Sequence, residues 1–163
     1  MNSPIRPVTV ADAAAICEIY NHYVTTTGIS FELEPVSVEQ MTQRITDIAS
    51  RYAWLVYEEQ GRVLGYAYAS QWKPRLAYRY SVESSVYLAA DSGGKGVGAQ
   101  LYGALFAQLK QREVHVIMAG IALPNAASIG LHEKMGFVKV GHFREVGNKF
   151  DQWLDVGYWQ LIL

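Results

Sequence analysis

The amino-acid sequence predicts an α/β domain, a central mixed sheet of about seven strands with helices on both faces. Three observations carry this. Segments of β-branched and aromatic residues alternate with segments whose apolar positions recur at helical spacing. A strand-like run, Glu83-Ser84-Ser85-Val86-Tyr87-Leu88, is followed by a glycine-rich turn, Gly94 to Ala99, and then an apolar helix. The 163 residues are half hydrophobic, enough for one compact domain, residues 1–163, to bury a core without disulfides or structural metal.

Ile5 to Val8 fits a short first strand. Thr9 with Asp12 three residues on makes a helix start, and Ile16, Ile19, Tyr20 and Tyr23 continue at helical spacing. Thr25 to Glu32, β-branched and aromatic but broken by Gly28, reads as an ordered loop with strand character. Ser37 and Gln40 form a second capping box before a helix to about Ser50. Trp54 to Tyr57 and Val63 to Trp72 are strands of a hairpin turning at Glu59 to Arg62. The basic, aromatic link Lys73 to Arg79 leads to a third strand, Tyr80 to Ala89. Helix Val97 to Arg112, strand Val114 to Ile121, helix Ala126 to Met135, and strands Phe137 to Glu145 and Trp153 to Leu163 complete the chain.

Glycines before a helix let backbone approach an anion, and the helix's first free N–H groups supply donors. The turn at Gly94 therefore suits a pyrophosphate. Gly94-x-Gly96-x-x-Ala99 also satisfies the dinucleotide fingerprint, with Glu113 near the distance of a ribose-binding acid. Glu113, however, precedes the next apolar run and belongs in the turn entering that strand, not at a strand's end. The nucleoside-triphosphate loop needs Gly-Lys-Ser/Thr, and Lys95 is followed by Gly96. An ordinary glycine-rich turn is the remaining alternative.

A net charge of -1 offers no global field for nucleic acid or an anionic membrane. The single cysteine, Cys17, excludes an internal disulfide and multi-cysteine metal clusters, which suits a reducing, cytoplasmic location. The run Met1 to Pro7 has no apolar leader core, and no membrane-length apolar run occurs elsewhere.

Downstream of the glycine turn stands Asn125-x-x-Ser128-x-x-x-His132-x-x-x-Gly136-Phe137. Together the two segments resemble the signatures of the GNAT (GCN5-related) N-acetyltransferases. More narrowly, Trp72-Lys73-Pro74-Arg75, Val82 to Tyr87, Gly130-Leu131-His132-Glu133 and the ending Trp153 to Gln160 resemble the phosphinothricin and methionine sulfoximine N-acetyltransferases. The likeness covers nearly the whole chain. It departs from the family at Gly93, where an Arg or Gln is usual, which implies more backbone-dependent cofactor binding. His132 stands where most GNAT enzymes carry Tyr, in agreement with the narrower group.

The resemblance implies an acetyl-CoA-dependent enzyme, without metal, that acetylates the α-amino group of a small amino acid such as methionine sulfoximine, methionine sulfone or phosphinothricin. Detoxification and herbicide resistance are the associated roles. It implies Glu83 as general base and His132 as acid to the thiolate or as an additional base. Backbone of Val86, Tyr87 and Leu88 would bind the pantetheine arm, with Asn125 on a pantetheine amide. Gly94, Lys95, Gly96, Val97, Gly98 and Ala99 would carry the pyrophosphate. Arg75 and Arg79 would meet the substrate carboxylate, with Phe31 and Tyr78 as walls and Lys73 and Ser85 as further substrate-binding residues, and the family forms homodimers. A binding module without turnover, and a GNAT enzyme acting on protein N-termini or polyamines, are the alternatives.

Overall fold

The computed structural model describes residues 2–163; Met1, the start of the segment read for leader character, lies outside the described residues. β1 (Ile5–Pro7) pairs antiparallel with β2 (Trp54–Glu59). The Asp12 carboxylate accepts the Thr9 N–H at 2.8 Å, and a short 3-10 turn leads into α1 (Ala13–Thr26). The strand character expected after it is absent: Thr25 and Thr26 belong to α1, and no strand forms between α1 and β2. The hydroxyls of Thr25, Thr26 and Thr27 each donate to a carbonyl four residues back, so the helix satisfies these side chains locally and overrides their β preference. α2 (Val38–Ala49) starts at the expected box, with Gln40 N–H donating to Ser37 Oγ at 3.1 Å and Ser37 N–H to Gln40 Oε1 at 2.9 Å.

β2 turns at Gln60 and Gly61, both at positive φ, into β3 (Arg62–Gln71), which pairs antiparallel with β4 (Ser81–Leu88). Then come α3 (Val97–Gln111), β5 (Val116–Leu123), α4 (Ala126–Lys134), β6 (Val138–Lys149) and β7 (Gln152–Ile162). β5 begins two residues later than its apolar run, because Glu113 turns at φ +62 and the Val114 N–H closes on the Leu109 carbonyl. β6 outruns its expected end at Glu145. A register shift between Phe143 and Gly147 absorbs the positive φ of Glu145, and pairing with β7 resumes to Lys149.

The sheet order is β1-β2-β3-β4-β5-β7-β6. The period of two divides β2, β3 and β4 between two cores. Leu55, Ala67, Val82, Ile117 and Trp159 pack on Leu101, Tyr102 and Leu105 of α3, whereas Trp54, Val56 and Tyr66 pack on Ile16 of α1 and Ile45 of α2. β4 and β5 are parallel but pair only where Ser81–Glu83 face Val116–Met118. Both strands continue well beyond that point. Past Glu83 they part, and the gap between them opens the site.

Candidate active site

Backbone direction sets one wall of this gap. The Ala89 N–H donates to Leu64 of β3, while the Tyr80 carbonyl accepts from His115 and Val116 on the other side. Because peptide groups alternate along a strand, those of Ser84, Val86 and Leu88 point away from β3, where β5 no longer meets them. The Tyr23 hydroxyl occupies the Leu88 carbonyl. The Val86 N–H and carbonyl and the Leu88 N–H remain for an extended, amide-bearing ligand to pair with as an added strand.

At the head of α3, Gly94 and Gly96 sit at φ +75 and +78, conformations that favour glycine. The first bond across this helix start is Gln100 N–H to Gly96 carbonyl, so Val97, Gly98 and Ala99 keep N–H groups without a helical acceptor. Lys95 is exposed at the rim, and Gly93 lines the gap. A Cβ on Gly98 would come 3.1 Å from Leu131, so this glycine also permits close approach of α3 and α4. Asn125 caps α4, its Oδ1 accepting the Ser128 N–H at 3.1 Å, and the residue lines the gap.

His132 is 3% exposed. Its Nδ1 lies 2.7 Å from the Ser128 carbonyl, which can only accept, so Nδ1 carries hydrogen and Nε2 accepts the Tyr102 hydroxyl at 2.9 Å. Tyr102 Oη in turn accepts from Ser84 Oγ at 3.2 Å. Burial holds the His132 pKa below the ordinary histidine value, against the Ser128 carbonyl that raises it. The resting ring is therefore neutral, with no free proton for a thiolate. A neutral ring whose Nε2 accepts from Tyr102 is suited to the base half of the expectation for His132. Tyr102 and Ser84 were hidden in the sequence: one sits at a core position of an apolar helix, the other inside an apolar strand.

Glu83 faces the other side of β4 with Tyr87 and opens into a second cavity, walled by Phe31, Trp72, Lys73 and Tyr158. Burial raises its carboxyl pKa, and the nearby Lys73 charge lowers it in part. Opposite stands Gly120 of β5, where a Cβ would lie 3.1 Å from the Tyr158 ring and 3.4 Å from Glu83 Oε1. The two cavities share Ile29, Tyr87, Gly120 and Ala122, so the glutamate pocket opens onto the gap. Ser85 lines the gap rather than the glutamate pocket.

Arg75, Tyr78 and Arg79 are not brought to Glu83. All three are exposed and line neither cavity, because a 3-10 turn at Leu76–Tyr78 carries the link outward. Arg79 instead donates to the Leu76 carbonyl and lies 4.3 Å over the Tyr80 ring. Of the link's cations only Lys73 lines the pocket. The sequence reading gave no site role to Trp72, which adjoins Lys73, or to Tyr158 and the β6 wall of Val140 and Phe143, which are distant in sequence from Glu83. Among the described residues no group of three or more His, Cys, Asp or Glu is placed to hold a metal, and no helix is long and apolar enough to cross a membrane.

The acetyltransferase (GNAT) domain family matches residues 5–157. A phosphinothricin N-acetyltransferase of Streptomyces viridochromogenes is 41% identical over 156 residues, covering 96% of this chain and 85% of that protein. An L-methionine sulfoximine/L-methionine sulfone acetyltransferase of Pseudomonas paraeruginosa is 38% identical, covering 100% and 96%. The crystal structure of a GNAT superfamily phosphinothricin acetyltransferase from Sinorhizobium meliloti, in complex with acetyl-CoA, has a TM-score of 0.95 at 34% identity, covering 100% and 89%.

Proposed function

The chain belongs to the GNAT acetyltransferase family, and from that premise we propose that it acetylates the α-amino group of a small amino acid of the methionine sulfoximine, methionine sulfone or phosphinothricin kind, using acetyl-CoA. The whole of residues 1–163 acts as one acetyltransferase domain. The observation that carries this reading is the place of Glu83: a carboxylate of raised pKa at the last paired residue before β4 and β5 part, with a ligand channel on one side and a pocket on the other.

Acetyl-CoA supplies an acetyl group activated as a thioester. Its pantetheine arm fits the free peptide groups of Val86 and Leu88 and the Asn125 amide, and its diphosphate fits the N–H groups of residues 94 to 99, with Lys95 at the rim. Glu83 takes the ammonium proton of the acceptor, directly or through a water, leaving the nitrogen lone pair free to attack the thioester carbonyl; the C–N bond forms, the C–S bond breaks, and coenzyme A leaves as the thiol once the nitrogen's second proton has passed to its sulfur. Lys73 gives the acceptor's carboxylate a cation, and Phe31 and Tyr158 bound the slot for its side chain. Neutral His132, with Tyr102, offers a proton acceptor beside the channel.

Thiol release from acetyl-CoA across a panel of methionine sulfoximine, methionine sulfone, phosphinothricin, a polyamine and an N-terminal peptide tests this reading. The amino acids are expected to react fastest; Lys73 opposes a polycation. Binding of acetyl-CoA with no release for any acceptor would favour the binding-module reading instead.

A Cβ on Gly93 would meet nothing within 4 Å, and its φ is ordinary. An Arg there can reach the diphosphate without strain, so Gly93→Arg is expected to lower the KM for acetyl-CoA by about 3- to 10-fold with kcat little changed. Steady-state kinetics at varied acetyl-CoA checks it.

A cytoplasmic homodimer belongs to the same proposal. Val138, Val140, Phe143 and Val146 of the edge strand β6, with Trp153 of β7, are large apolar side chains more than half exposed, which supports a contact there. Trp159 of β7, in contrast, is buried in the core.

A further inference from the structure

Lys149, the last residue of β6, is 3% exposed, and among the described residues no carboxylate forms a salt bridge with it. An ammonium so deeply placed is costly unless its hydrogens are used. Its Nζ donates to the Ser30 carbonyl at 2.6 Å, across 119 residues of chain, and lies 5.2 Å over the Phe150 ring. The tip of the β6–β7 hairpin touches the same segment twice more. The Phe31 ring lies directly on Gly147, where a Cβ would come 2.5 Å from Cε2, and Leu154 fills the space beside Gly28, whose Cβ would meet Cδ1 at 3.0 Å. From the opposite side, Tyr20 of α1 shares a 2.8 Å hydrogen bond with Ser30 Oγ.

Residues 28–32 have no helix or strand of their own, yet they present Ile29, Ser30, Phe31 and Glu32 to the pocket of Glu83. Their position comes from what grips them. We propose that the β6–β7 tip is a specificity clamp, in which Gly147 and Lys149 fix residues 28–32 so that Phe31 sets the size of the acceptor slot. The clamp rests on the reading of that pocket as the acceptor site. Gly147 and Lys149 are positioning residues. They act through Phe31 and touch neither the channel nor Glu83.

The test is a kinetic cycle on the full chain with methionine sulfone as acceptor: wild type, Lys149→Met, Gly147→Ala, Phe31→Ala and the double variant Gly147→Ala/Phe31→Ala. Lys149→Met and Gly147→Ala are expected to raise the acceptor KM by about 10-fold, with the acetyl-CoA KM unchanged within about 2-fold. The double variant should match Phe31→Ala alone, since the ring that the new methyl displaces is gone. Hydrogen exchange of residues 28–32, read without turnover, should quicken in Lys149→Met while the strands stay protected. Acceptor KM values equal to wild type, effects of Gly147→Ala and Phe31→Ala that multiply, or unchanged exchange at 28–32 would each overturn the clamp. A wild type that acetylates no amino acid would instead remove the acceptor-site reading, and the exchange measurement would still decide whether the tip holds the segment.

Discussion

Replacing Glu83 by Gln is expected to lower kcat about 10²- to 10⁴-fold at neutral pH, with little change in the KM for acetyl-CoA. The group must be a carboxylate to take the ammonium proton. Because burial raises its pKa, the rate of the unaltered enzyme should climb with pH through a value above the usual glutamate range. That limb should vanish in Glu83→Gln, and the gap should narrow at high pH, where the amine sheds its own proton. A variant with the unaltered pH profile would remove Glu83 as base. Lys73→Ala should move the same limb to higher pH, since the Lys73 charge is what holds the carboxyl down. Stability carries an independent sign. A carboxyl whose pKa is raised by folding favours the native state below its unfolded pKa, and this contribution is lost as pH rises through the folded value. Glu83→Gln should therefore melt higher than the unaltered protein at pH 8, and this advantage should disappear at pH 4.

What could be read from sequence depended on how far apart the interacting groups lie. The Ser37 and Gln40 box spans three residues, and its two hydrogen bonds form as expected. The Gly94 to Ala99 turn sits at the head of α3 for the same reason, since φ and free helix donors are local properties. Glu83 was legible through its place in a recognised segment. The segment 25–32 was misread because propensity for β structure met helix-internal acceptors for three threonine hydroxyls. Arg75 and Arg79 were misplaced because proximity in sequence to Glu83 was taken as proximity in space; one 3-10 turn rotates them outward. The Tyr102 and His132 pair joins positions 30 residues apart, and Lys149 reaches Ser30 across 119. Buried polar partners of this kind leave no periodic trace, since each looks like one more residue of its own strand or helix.

Substituting His132 by Ala is expected to cost about 10²-fold in kcat, and the pH dependence of that cost distinguishes its role. The ring is neutral and its Nε2 already accepts from Tyr102, so a part played by His132 requires the unprotonated form. The ratio of unaltered to variant rate should be constant from pH 7 to 9 and shrink as pH falls through the lowered pKa of the ring. An imidazolium acting as acid gives the opposite slope, a ratio that grows toward low pH, and that result would establish the thiolate-acid role in place of the base role. Tyr102→Phe supplies the control. It leaves Ser84 Oγ without its acceptor and His132 Nε2 without its donor, an unpaired buried set costing about 1–3 kcal/mol, or about 2–4 °C of melting temperature per kcal/mol in a chain of this size. If His132 serves only to satisfy Tyr102, both variants lose stability alike and keep parallel pH profiles. If it accepts a proton during turnover, His132→Ala alone changes the slope, because Tyr102→Phe keeps the imidazole and the Ser128 carbonyl that fixes its tautomer.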